Sequence, residues 1–136
     1  MRLGIIAEGK ADIAVIKAVL KALKGIDGSD VVQLRPSEQF DETDLNEMNF
    51  SNWNLVLKSC EDISLLQSFF DVLADDALLV VQIDTAERGE AGYDINEPLR
   101  TKDTDWKEYC DYLYKAVEYK ISNIVPEAYR DKVAYA

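Results

Sequence analysis

The chain has 136 residues, 26 of them Asp or Glu against 15 Lys or Arg, a net charge of −11, and no histidine. Such a surface repels phosphate backbones, because nucleic-acid affinity comes largely from cationic contacts, so any role on nucleic acid needs a bound metal, a local basic patch or a partner chain. Without histidine, Ser-His-Asp and Cys-His catalysis and His-ligated zinc are excluded, which leaves carboxylates, lysines, tyrosines or metal-bound water for acid–base chemistry.

The length suits one domain built on one sizeable core. No apolar run approaches the ~20 residues of a membrane span, and the first apolar stretch meets Glu8 and Lys10 too soon for a signal peptide. Cys60 and Cys110 lie far apart in the sequence and read as buried thiols of a cytoplasmic protein, not as a disulfide or a metal pair.

Arg2 to Ala7 predicts a first strand and Glu8-Gly9-Lys10 a tight turn. Ala11 to Leu23 predicts a helix whose apolar residues Ile13, Ile16, Val19, Leu20 and Leu23 recur at spacings of three and four, with Lys17, Lys21 and Lys24 on the other side. Lys24 and Gly25 supply a C-terminal cation and a stop. Asp12 falls in the first helical turn, where a carboxylate favours the helix dipole; a metal-linked role is the competing reading.

Val31 to Leu34 predicts a short strand ended by Pro36. Ser37 to Asn49 is polar and acidic and predicts a surface loop with one helical turn. Ser51 caps an expected helix through Trp53 and Leu57, and Cys60 to Leu73 predicts a second, with Ile63, Leu66, Phe69, Phe70 and Leu73 along its core face. Asp75-Asp76 turns the chain into Leu78-Leu79-Val80-Val81-Gln82-Ile83-Asp84. That short, nearly continuous apolar run suits a strand buried on both faces of a parallel sheet. Asp84 stands at its carboxyl end, where open α/β sheets place their ligands.

After Glu87, the stretch from Arg88 to Pro98 contains Gly89, Gly92 and Pro98 and predicts a long, mobile, functional loop. Thr104 or Asp103 should cap a helix from Asp105 to Ile124, burying Trp106, Cys110, Leu113, Val117 and Ile121, with Tyr109, Tyr112 and Tyr119 on its flanks. Val133-Ala134-Tyr135-Ala136 opens a further strand, from which the chain is expected to be part of a longer protein. Strands alternating with amphipathic helices predict an α/β domain over residues 1–136 with a mainly parallel sheet.

Two buried strands each deliver an acid at the carboxyl end, Glu8 and Asp84. Magnesium takes oxygen ligands and keeps waters beside one or two carboxylates, so this pair, supplemented by Glu87 or Asp94, predicts a divalent-metal site. The alternative is local: Asp84 caps the following turn, and Glu8 stabilises the start of the first helix. Glu8-Gly9-Lys10-Ala11 lacks the spaced glycines and the Lys-Ser/Thr ending of a P-loop.

Ile5-Ile6-Ala7-Glu8-Gly9, followed by Asp12, resembles the first motif of the TOPRIM domains of topoisomerases, primases and OLD nucleases. Val80-Val81-Gln82-Ile83-Asp84-Thr85 resembles their later strand, most closely in uncharacterised bacterial TOPRIM-like proteins of the phage-defence and OLD-related kind. The resemblance implies a Rossmann-like three-layer TOPRIM-type fold. It also implies Glu8 as metal ligand or general acid/base, Asp84 as metal ligand, and a Mg²⁺- or Mn²⁺-dependent nuclease-type activity on nucleic-acid phosphodiesters. This sequence departs from the family's Asp-x-Asp pair at Ala86. Either Glu87 substitutes or the metal site is weakened, and the runner-up is a non-catalytic interaction module working with a protein partner or a C-terminal region beyond Ala136. A small-molecule or nucleotide-binding α/β domain using the same strand ends is the third class.

Overall fold

Short apolar runs rich in Ile, Val and Leu form the middle layer of the molecule. In the computed structural model, which describes residues 1–36, 52–73 and 76–136, there are four strands: β1 (Arg2–Ile6), β2 (Val31–Arg35), β3 (Ala77–Val81) and β4 (Val133–Tyr135). They make one sheet in the order β2-β1-β3-β4, and each neighbouring pair is parallel. Parallel neighbours need crossover connections. Helices supply them: α1 (Lys10–Lys24) after β1, α2 (Asn52–Glu61) and α3 (Ile63–Leu73) before β3, and α4 (Trp106–Ile124) before β4. The expected surface loop at 37–49 and the Ser51 cap fall outside the described residues, as does Asp75.

Alternation along the strands splits the core in two. Leu3, Ile5, Ala7, Val31 and Val80 face α1 and pack with Ile13. Ile6, Leu79 and Val81 face the other way, against Trp53, Val56 and Cys60 of α2, Leu66, Phe69 and Phe70 of α3, and Val117 and Ile121 of α4. Among the described residues the result is helix, sheet, helix, with three α-helices behind the sheet and one in front. Gly4 lies on the back face, where a Cβ would stand 2.9 Å from the Phe69 ring, so only glycine lets α3 approach that closely. Phe69 and Phe70 meet edge to face at 4.9 Å, and Phe70 stacks on Tyr129 at 4.7 Å. The pair is core packing, as expected from its spacing.

Four local expectations are corrected. The segment from Asn52 to Leu73 is two helices broken at Asp62, whose Oδ1 accepts a hydrogen bond from Leu65 N at 3.0 Å. Cys60 therefore lies in the last turn of the first helix and does not begin the second. The cap of α4 is Asp105, which accepts from Lys107 N and Glu108 N, while Thr104 Oγ1 accepts from Thr101 N in the preceding turn. Trp106 and Cys110 are exposed; α4 buries Tyr109 in their place, beside Val117 and Ile121 as expected, because the Tyr109 hydroxyl is drawn to the loop after β3. On α1, Val19 and Leu23 are exposed, since α1 meets the sheet only along Ile13, Ile16 and Leu20.

Candidate functional site

The register brings the two strand-end acids together. β1 and β3 pair from Arg2 opposite Ala77 to Ile6 opposite Val81, so the strands run level to their carboxyl ends. The ladder extends one step further, with Gln82 N donating to Ile6 O at 2.9 Å. Just beyond, Asp84 N donates to Glu8 Oε2 at 3.0 Å, and Glu8 N donates to the Gln82 side-chain oxygen at 3.3 Å. Residues 76 positions apart thus share one edge of the sheet. Gln82 was the one polar interruption of its apolar run, and its task is to bridge to Glu8.

Burial holds the Glu8 carboxyl above its ordinary range. The charges of Asp84, Glu87 and Asp12 push the same way, and the hydrogen bond from Asp84 N opposes them in part. Four of the five sequence-predicted acids, Glu8, Asp84, Glu87 and Asp12, therefore act on one electrostatic site, but they do not touch it equally. Among the described residues, no three acid or cysteine side chains are spaced to hold an ion. The centre is the Glu8–Asp84 pair, with Glu87 exposed in the next turn and Asp12 half-buried at the start of α1. Asp12 folds back on the turn: a Cβ on Gly9 would stand 3.3 Å from its Oδ2. Asp94 does not join the pair; its Oδ2 accepts from Gly92 N at 3.1 Å, and it lines a cleft with Asn96 and Tyr112.

The loop after β3 is long but heavily anchored. Asp84 Oδ1 accepts from Ala86 N at 2.8 Å, closing a turn of the kind short acidic side chains make with their own backbone. Tyr93 is completely buried, its ring 5.2 Å from that of Trp53, and its hydroxyl donates to Asp84 O at 3.0 Å. Burial, then the nearby Glu8 and Asp84 charges, raise the Tyr93 phenol well above its ordinary value, so it remains a donor. Arg88 reaches from the same loop to Thr85 O at 2.7 Å and to Tyr109 of α4 at 3.2 Å, and it pairs with Glu97. Tyr109 also donates to Glu97, and this bond, followed by Arg88, holds the Glu97 carboxyl below its ordinary range. These ties fasten the loop to Trp53 of α2 and Tyr109 of α4. Tyr93 and Arg88 gave no sequence signal as site-organising residues, because their partners lie on other elements.

Comparison with protein-family models, with curated proteins and with solved structures found no match. The donor set still fits a hard divalent cation. An ionised carboxylate offers about four lone-pair sites, so accepting one backbone N–H leaves each member of the pair with capacity. Magnesium in turn uses roughly one or two carboxylates and fills its remaining positions with water. No helix among the described residues is long and apolar enough to cross a membrane.

Proposed function

We propose that the chain is a TOPRIM-like domain that takes Mg²⁺ or Mn²⁺ at Glu8 and Asp84 and acts on nucleic-acid phosphodiesters. The observation that supports it is the 3.0 Å bond from Asp84 N to Glu8 Oε2, which sets two acids from distant parts of the chain side by side at the carboxyl edge of a parallel sheet. Ligands of open α/β sheets bind at that edge. Once bound, the cation would polarise a phosphoryl oxygen and offset the charge that develops on it. The protein's own share is positional. Gln82 fixes the Glu8 backbone, Tyr93 fixes the Asp84 carbonyl, and the Asx turn orients the Asp84 carboxylate.

Ala86 bears on the strength of such a site. A phosphoryl transition state carries negative charge that several acids, through their metal ions, help to offset, and here one of them is absent. Calorimetric titration of Mn²⁺ should show weak binding in the wild type and loss of binding in Glu8→Gln. Ala86→Asp should tighten it, and Glu87→Gln should change it little. If Glu87→Gln abolishes binding while Ala86→Asp has no effect, Glu87 is the substitute ligand. If neither the wild type nor Ala86→Asp binds at millimolar Mn²⁺, the metal reading fails. An interaction module, favoured by Ala86 and by the engagement of Asp84 Oδ1 in its own turn, then takes its place.

A further inference from the structure

The loop after β3 and one face of α4 enclose a cleft of about 470 Å³ whose lining includes neither Glu8 nor Asp84. Tyr112, Ala116, Tyr119 and Asn123 recur on α4 at spacings of three and four, so they share one helix face, with Lys120 at its border. Tyr112 and Tyr119 stand two turns apart, about 10.5 Å along the axis. Ala116 between them is too short to close the gap, which leaves room for a flat ring between the two phenols. The Tyr112 hydroxyl donates to Asn96 O at 2.7 Å and so holds the loop wall against the helix wall. Small-molecule sites occupy roughly 300–1,000 Å³ and combine aromatic walls with a few fixed polar groups. This cleft has both properties.

The polar groups on the lining select the ligand. Among the described residues, the side chains of Asn96, Asn123 and Lys120 have no hydrogen-bond or ion-pair partner of their own. Lys120 is half-buried, in a chain whose net charge is −11. A partly desolvated ammonium without a carboxylate partner is stabilised by an anionic group brought by a ligand. The other charge on the lining is Asp94, whose Oδ2 already accepts from Gly92 N. One cation beside one acid suits a single phosphate and disfavours a polyphosphate. Each asparagine presents a donor and an acceptor side by side, which matches the exocyclic amine and neighbouring ring nitrogen of adenine. The tyrosine faces add stacking, which every base can use.

We infer that this cleft binds an adenine mononucleotide, with the base between Tyr112 and Tyr119 and the phosphate on Lys120. The inference is independent of the metal reading, and EDTA in every titration keeps the two apart. Calorimetric titration of adenosine monophosphate into the whole chain shows binding in the millimolar range or tighter. Adenosine binds at least threefold more weakly, and inorganic phosphate at least tenfold more weakly. Lys120→Gln removes the difference between nucleotide and nucleoside. Tyr119→Ala, at a residue 73% exposed, weakens both at least fivefold and leaves the far-UV spectrum unchanged. In amide NMR spectra the side-chain signals of Asn96 and Asn123 shift as the nucleotide is added. A wild type that binds no nucleotide at millimolar concentration overturns the inference, as does inorganic phosphate that binds equally well. Retained preference for the nucleotide in Lys120→Gln, wild-type affinity in Tyr119→Ala, or unshifted Asn96 and Asn123 signals each overturn it as well.

Discussion

Replacing Tyr93 separates two contributions that the structure assigns to one residue: a ring packed on Trp53 and a hydroxyl bonded to the Asp84 carbonyl. Tyr93→Phe keeps the ring. A hydrogen bond is worth roughly 0.5–1.5 kcal/mol net, and Asp84 is exposed, so water can take over its carbonyl. The expected loss is about 1 kcal/mol. Tyr93→Ala empties a site that is 0% exposed, and large aromatic truncations in cores cost about 3–5 kcal/mol. With an unfolding entropy of about 2.1 cal/mol/K per residue over 136 residues, 1 kcal/mol is worth about 3.5 °C. Thermal melts at neutral pH should therefore fall by about 3–4 °C for Phe and by more than about 10 °C for Ala. The phenol adds a second signature. Burial first, then the Glu8 and Asp84 charges, raise its folded pKa, so its contribution is complete below the unfolded value of about 10 and is lost as pH rises above it. Wild type should lose stability in that alkaline window, and Tyr93→Phe should not share this loss. Equal losses for Phe and Ala would refute the assignment of most of the energy to ring packing. An unaltered alkaline slope in Tyr93→Phe would refute the buried, un-ionised phenol.

Three further outcomes are expected. Because the Glu8 carboxyl is raised, its ionisation destabilises the fold as pH rises through the folded value, so Glu8→Gln should melt above wild type at neutral pH and converge with it in acid. Glu97 is lowered, so Glu97→Gln should melt below wild type at neutral pH and converge as pH falls through the folded value; melting curves from acid to neutral pH that show the same sign for both variants would contradict these shifts. Gly4→Ala places a methyl 2.9 Å from the Phe69 ring and 3.0 Å from Leu34 Cδ1, and overpacking of this kind should cost about 1–3 kcal/mol. A urea midpoint equal to that of wild type would show that the core yields there.

The order of strands and helices, the parallel sheet and the edge that carries Glu8 and Asp84 were all legible in the sequence, because they rest on local signals. Short apolar runs, a 3.6-residue apolar period and a carboxylate just after two of the runs do not depend on what lies across the molecule. The Phe69–Phe70 pair and the Gly25 stop of α1 were readable for the same reason. What depended on partners was not. Whether Val19 and Leu23 lie against the sheet is decided by how far across it α1 lies, and periodicity is blind to that. Whether α4 buries Trp106 and Cys110 or Tyr109 is decided by a carboxylate, Glu97, twelve residues earlier. The same holds at the candidate site. Sequence could place two acids at strand ends, but the bond between them, the Gln82 bridge and the Tyr93 anchor are contacts between residues 9 to 76 positions apart. Only strand register and the path of the loop fix such contacts, since a hydrogen bond acts within about 3 Å and carries no trace in the spacing of its two ends.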